Sequence, residues 1–164
     1  MTIPALRNKE EWDRILAEFA REVRMTTCLT DDTGINPCCR FERYPLCAAI
    51  RNNREATTYI CSQSNTAMLA VVRKTGRPEI DFCEAGLIRL VVPIFRDDRL
   101  IGQVFACGLA SAEEELNSFV IARQLNMSEE AVLDLAKATP FGTVEQLKRP
   151  VDRLWHMLNS RIHA

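Results

Sequence analysis

Between residues 9 and 23, Trp12, Ile15, Leu16, Phe19 and Val23 recur near helical spacing, with Glu and Arg between them. This predicts an amphipathic helix whose apolar stripe, extended upstream by Leu6, must cover something. The period changes at Arg24: residues 24–32 are rich in β-branched side chains and run into Asp31-Asp32-Thr33-Gly34, a turn signal, so a strand and its return are expected. A short helix over residues 44–51 carries Cys47. A stronger one, capped by Ser62 or Ser64, runs to Lys74 and stops at Thr75-Gly76, with Pro78 just beyond. After Pro78 come three short apolar segments, residues 79–86, 87–95 and 100–110, the last two joined through Asp97-Asp98. They read as three adjacent antiparallel strands. Pro93 inside the second marks a sheet edge, a bulge or a ladder position needing no donor. The remainder reads as helix: residues 112–125, a helix capped by Ser128, and residues 144–162, interrupted or kinked at Pro150.

Helices at both ends of a central meander imply an α+β domain with helices packed on one side of an antiparallel sheet. One domain spans residues 1–164, divided into an N-terminal helix (1–23), the sheet with its binding helices (24–110) and a helical C-terminal part (111–164). Composition agrees. With 47% hydrophobic and 26% charged residues and a net charge of −1, the chain reads as an ordinary globular domain. A body of this size buries roughly 70% of the surface its unfolded chain exposes, so it needs no metal merely to fold. The absence of a basic run gives nucleic acid no electrostatic handle, and the longest apolar runs are far short of a membrane span. The first residues lack the basic head and apolar run of a signal peptide, so the expected location is the cytoplasm, where thiols stay reduced.

The chemistry that remains is that of sulfur. Seven cysteines occur, and Cys47, Cys61, Cys83 and Cys107 lie in four different segments, each at an expected element edge. Their spacing matches no zinc-finger or ferredoxin pattern, and an unpaired cysteine is often only a small apolar filler. Cys83 precedes Ala85-Gly86 and Cys107 precedes Gly108, places where the backbone can turn tightly and aim amides at sulfur. Cys38 and Cys39 are adjacent and held in reserve; Cys28, mid-strand, reads as core, and disulfides are not expected. The two histidines, His156 and His163, both fall in the final helix, which leaves a Cys–His nucleophile pair hard to assemble. Glu84, beside Cys83, reads as an exposed carboxylate at a strand end. The enzyme reading, Cys83 as a nucleophile helped by Glu84, therefore lacks a positioned base.

The run from Phe41 through FCEAGLIRLVVPIF to FACGL resembles the PocR ligand-binding (sensory) domain, found at the front of bacterial transcription regulators, histidine kinases and chemoreceptors. The likeness covers most of the chain, and its most specific element is the segment Phe82 to Phe95. Cys61 in YICSQSN, Cys47 after the preceding helix and Cys107 in FACGL match further family cysteines, the last in a subgroup from anaerobes. Glu84 stands where many members carry histidine, Ser64 and Asn65 lie in a variable segment, and Ala106 replaces a subgroup glycine.

The resemblance implies a PAS-like fold, no catalysis, and the sensing of small molecules such as propanediol on behalf of a signalling output protein or domain. The pocket is expected between the sheet and residues 44–74, where Cys47, Cys61, Cys83 and Cys107 meet to hold a [4Fe-4S] cluster or zinc, since soft thiolates select these over magnesium or calcium. The alternative is a metal-free pocket for a hydrocarbon derivative or diol, with the cysteines as core residues. Ser62, Gln63, Asn65, Glu84 and Arg89 are the candidate ligand-binding side chains. Leu147, Val151, Leu154, Leu158 and Ile162 on the last helix form either a signalling or homodimer stripe or a face packed on its own domain.

Overall fold

The computed structural model of the chain describes residues 3, 6–32, 38–40 and 44–160, with residues 38–40 described by their backbone alone. Helix α1 (Lys9–Val23) has the bounds its apolar spacing predicts. It opens in a capping box: the Asn8 side chain accepts from the Glu11 amide, and the Glu11 carboxylate accepts from the Asn8 amide. Five strands, β1 (Thr26–Asp31), β2 (Cys38–Arg40), β3 (Glu79–Phe82), β4 (Ile88–Arg96) and β5 (Arg99–Leu109), form one antiparallel sheet in the order β2-β1-β5-β4-β3. This is a PAS-like α+β arrangement. β4 and β5 are joined by Asp97 and Asp98, both at positive φ (50° and 58°), the backbone that a two-residue hairpin of matching twist requires.

Strand alternation divides the core. One face carries Leu29, Leu90, Val92, Ile94, Val104 and Ala106, which pack against α1 and the last helix, α7 (Val144–Asn159). On that helix Leu147, Val151, Leu154 and Leu158 are all buried in the same cluster, so the stripe is taken up by its own domain, and Ile162 lies outside the described residues. The opposite face is covered by α2 (Pro45–Arg51), α3 (Arg54–Ala56), a π-helical turn (Thr57–Ser62) and α4 (Gln63–Thr75), so helices cover both faces of the sheet and not the one side expected from the sequence, because both faces of its strands are apolar. Helix α5 (Ser118–Leu125) and helix α6 (Glu129–Ala136), the latter capped by Ser128 as expected, pack beside α2.

Several boundaries differ from those the pattern predicts. The helix expected from residue 112 begins at Ser118, capped by Asn117. Upstream, Ser111 accepts from the Glu113 amide, and the Glu113 carboxylate accepts from the Val144 amide at the start of α7, so these residues serve another helix's end. Pro150 neither interrupts nor ends α7; it sits one turn past the exposed Gln146, where losing a backbone bond is tolerated. Ser62 caps nothing, because the helix has already begun at Arg54 under the Asn53 cap. Cys28 is buried as expected but is disulfide-bonded, against the expectation of reduced thiols throughout; the β1–β2 register sets it directly opposite Cys39.

Pro93 has a clear place. The β3 ladder ends at Val91, so the Pro93–Phe95 edge of β4 has no strand beyond it. There the Asn159 side chain donates to the Pro93 carbonyl (2.9 Å) and accepts from the Phe95 amide (2.7 Å), so the end of α7 occupies the ladder position that Pro93 cannot serve. Gly102 faces Ile94 in the ladder, and a Cβ there would lie 2.1 Å from Ile3 Cδ1 and 2.5 Å from the Thr30 carbonyl oxygen. Gly102→Val is expected to cost about 2–3 kcal/mol from overpacking, read as a lowered denaturant midpoint; an unchanged midpoint would contradict this packing.

Candidate functional site

The cysteines reach one place by four separate local devices. Pro45 starts α2 at a position that tolerates proline, Leu46 and Ile50 bury its inner side, and Cys47 follows on the same short helix. Thr57 Oγ1 donates to the Ile50 and Asn53 carbonyls (3.0 and 2.9 Å), fixing α2 against the next helix. Along that helix the buried residues are Ala56, Ile60, Ser64, Met68 and Val72, a strict four-residue spacing. In an α-helix of 3.6 residues per turn such a stripe drifts about 40° per step. The wider π turn over Thr57–Ser62 winds it back, keeping the stripe on the sheet while holding Cys61 beside it.

Cys83 follows β3 in a tight loop: its amide donates to the Leu87 carbonyl and the Gly86 amide donates to its own (2.8 and 2.9 Å). The loop is tied to α4 by the Glu84 amide, which donates to Ser64 Oγ at 3.2 Å. Cys107 lies on β5 at a bulge: Arg89 pairs with Cys107 and Ile88 with Leu109, leaving Gly108 (φ +102°) unpaired. A Cβ on Gly108 would stand 3.1 Å from Cys47 Sγ, so the glycine makes room for the sulfur.

Cys47, Cys61, Cys83 and Cys107 thus line a single cavity of about 20 Å³, together with Ile60, Leu87, Arg51 and Arg89. Arg51 Nη2 donates to Cys107 Sγ at 3.0 Å. Arg89 is only 4% exposed; it donates to the Cys61 carbonyl (3.2 Å) and to Asn65 Oδ1 (2.9 Å), and its guanidinium lies 5.2 Å from the Phe105 ring centre. No carboxylate pairs with it among the described residues. Burial raises the Cys47 thiol pKa strongly, reinforced by repulsion from Cys107 and Cys83, while Arg51 pulls the other way. Cys61 is pushed up to about 11, first by burial and then by Cys107 and Cys83. Cys83 is also raised by burial, against which hydrogen bonds to the Leu87 and Ala85 backbone favour the thiolate.

A raised thiol is the opposite of what a nucleophile requires. In metal-free protein, alkylation of Cys83 is expected to be slower than that of a free thiol at pH 7 and to accelerate as the pH rises beyond the ordinary thiol range. Fast, selective labelling of Cys83 at pH 7, located by peptide mass spectrometry, would restore the nucleophile reading.

The other candidates separate. Asn65 is brought to the site through Arg89, whereas Ser62, Gln63 and Glu84 are exposed and do not line the cavity. His156 is exposed beside Trp155; His163 and the side chains of Cys38 and Cys39 lie outside the described residues. Two contributors went unanticipated: Arg51, four residues after Cys47 and so on the same side of α2, and Ser64, whose spacing from Ile60 and Met68 marks it as inward-facing. Among the described residues no helix is long and apolar enough to cross a membrane. No curated protein and no solved structure matches the chain. The family model described as the sensory domain found in PocR matches residues 6–163, nearly the full sequence, and the chain belongs to that family.

Proposed function

We propose that this chain is a sensory input domain whose Cys47, Cys61, Cys83 and Cys107 hold a [4Fe-4S] cluster or a zinc ion, and that the state of this centre regulates a signalling partner. Membership of a sensory-domain family points to ligand sensing and a non-catalytic role. One observation carries the finer reading: four thiols from four elements share one small cavity with two guanidiniums. Arginine stays charged in any protein environment, and a buried cation without a carboxylate is costly. Four thiolates around a divalent ion or a cluster core of the same charge leave a net charge of minus two, and the buried guanidinium of Arg89 sets a positive charge beside it.

The donor set is therefore suited to the group in softness and in charge. As the side chains stand, no three His, Cys, Asp or Glu among the described residues are grouped to hold one metal ion. A tetrahedral zinc site draws its sulfurs to about 3.8 Å from one another, given a Zn–S distance of about 2.3 Å. A four-iron cluster keeps them further apart, but a cavity of about 20 Å³ is the size of a single ion or water, so the side chains must move apart to take the cluster and together to take zinc. Such a centre supplies one-electron redox chemistry and sensitivity to oxidants; the protein's part is to hold the thiols and direct the Ala85 and Leu87 amides at Cys83. The cavity is also well below the roughly 300 Å³ at which pockets for organic ligands begin, which weighs against the metal-free alternative at this place.

Anaerobic purification followed by iron, sulfide and zinc analysis tests the reading. The expected result is near-stoichiometric metal that falls to background in Cys61→Ser and Cys83→Ser variants. Protein free of both metals, or variants that keep them, would remove it.

A further inference from the structure

The inner stripe of the long helix, Ala56, Ile60, Ser64, Met68 and Val72, carries one polar side chain. Ser64 is only 7% exposed, between Ile60 at 1% and Met68 at 4%. An apolar residue could fill that place at no electrostatic cost, whereas a buried hydroxyl must find partners. Ser64 Oγ has two: it donates to the Ile60 carbonyl at 2.7 Å and accepts from the Glu84 amide at 3.2 Å. The first belongs to the peptide group that enters Cys61, and the second to the peptide group that leaves Cys83. One oxygen therefore stands between the backbones of two of the four thiols.

The π turn explains why a side chain is wanted at Ile60. Where bonding over five residues returns to bonding over four, the carbonyl ladder falls out of step, and carbonyls at the exit need other donors. The Ile60 carbonyl receives Ser64 Oγ, and the Cys61 carbonyl receives Arg89 Nη1 at 3.2 Å. Arg89 is held in turn by Asn65 Oδ1 at 2.9 Å. Both peptide groups flanking Cys61 are thus gripped by side chains, one by Ser64 itself and the other by a guanidinium seated on its neighbour. The other hydroxyls of this helix do less. Thr58 donates to the Arg54 carbonyl (2.9 Å) and Thr66 to the Ser62 carbonyl (3.0 Å), both exposed and both within the helix.

We infer that Ser64 is a positioning residue for the thiol site, its hydroxyl setting the separation between Cys61 and Cys83. The inference rests on the reading of the four thiols as one metal-holding set, and it names what governs their spacing. Both sulfurs line the shared cavity, and a bridge one peptide group away from each limits how far the two can part or close when metal enters.

Two measurements on the full chain test this, one without metal and one with it. In metal-free protein, Ser64→Ala is expected to speed iodoacetamide labelling of Cys61 and Cys83 roughly three- to tenfold, the weight of one hydrogen bond, while Cys47 and Cys107 keep their rates. Thr66→Ala loses the same kind of bond within the helix and is expected to change none of the four, and Ser64→Thr is expected to keep wild-type rates. In cobalt(II)-loaded protein, Ser64→Ala is expected to shift the visible thiolate-to-cobalt bands and to release metal to a chelator faster by a similar factor. Wild-type labelling of Cys61 and Cys83 in folded Ser64→Ala, an equal acceleration at all four thiols, or an unchanged cobalt spectrum would overturn the inference. Failure of the wild-type chain to bind cobalt would instead overturn the reading of the thiols as a metal site, because the labelling measurement is decided without metal.

Discussion

Gly86→Ala is expected to destabilise the domain by about 3–5 kcal/mol, combining the left-handed penalty of an L side chain with overpacking. Gly86 has φ +79°, and a Cβ there would lie 2.2 Å from the Glu115 carbonyl oxygen and 3.2 Å from Leu116 Cα. Both obstacles are backbone, so no rotamer change relieves them. The collision falls where the cysteine loop is clamped: the Asn117 amide donates to the Ala85 carbonyl, and the Glu84 amide reaches Ser64. Pushing the two segments apart therefore moves the backbone around Cys83 as well. For a domain of this length the cost corresponds to roughly 10–15 °C in melting temperature. Gly76→Ala is the control, because Gly76 also has positive φ (+66°) but nothing stands within 4 Å of its Cβ position. It is expected to lose only about 1 kcal/mol. Equal losses at the two positions would mean that the contact with Glu115 carries no weight.

Arg89→Met is expected to act on the metal-bearing and metal-free forms unequally. In the metal-free domain the substitution removes a buried charge that no carboxylate meets and also removes two hydrogen bonds, to the Cys61 carbonyl and to Asn65. These effects oppose each other, and stability is expected to change by no more than about 1 kcal/mol. In the loaded domain the same side chain is a counter-charge to a net-negative centre. At an effective dielectric constant near 20 and a separation on the order of 6 Å, one unit pair contributes about 3 kcal/mol. Retention of iron or zinc against a chelator is thus expected to weaken by roughly 100-fold. Wild-type retention by a folded Arg89→Met protein would show that the guanidinium plays no part in balancing the thiols.

Much of the fold was legible because its elements carry clean periods. The α1 stripe sets both ends of the helix, and the paired aspartates between two apolar runs mark the β4–β5 turn. Helix starts were harder, since competing caps decide them: Asn53 and Asn117 win over Ser62 and the acidic run at residues 113–115. The π turn was hidden because a four-residue repeat over a few turns looks like any amphipathic helix until the drift is counted. The convergence of Cys47, Cys61, Cys83 and Cys107 was not in their spacing, because it depends on how β5 sits beside β4 and how α2 folds over both. The glycines after Cys83 and Cys107 were the local hint, and both have positive φ.

The clasp between Asn159 and the β4 edge gives the sheet a mechanical outlet. Gln103 is the ladder partner of Pro93, whose carbonyl is gripped from the far side by the last turn of α7. A strand displaced at that point must carry the helix tip with it or let go of it. Either event changes how the last turn of α7 is seated on the sheet, so a small adjustment within the ladder is passed to the tip of that helix.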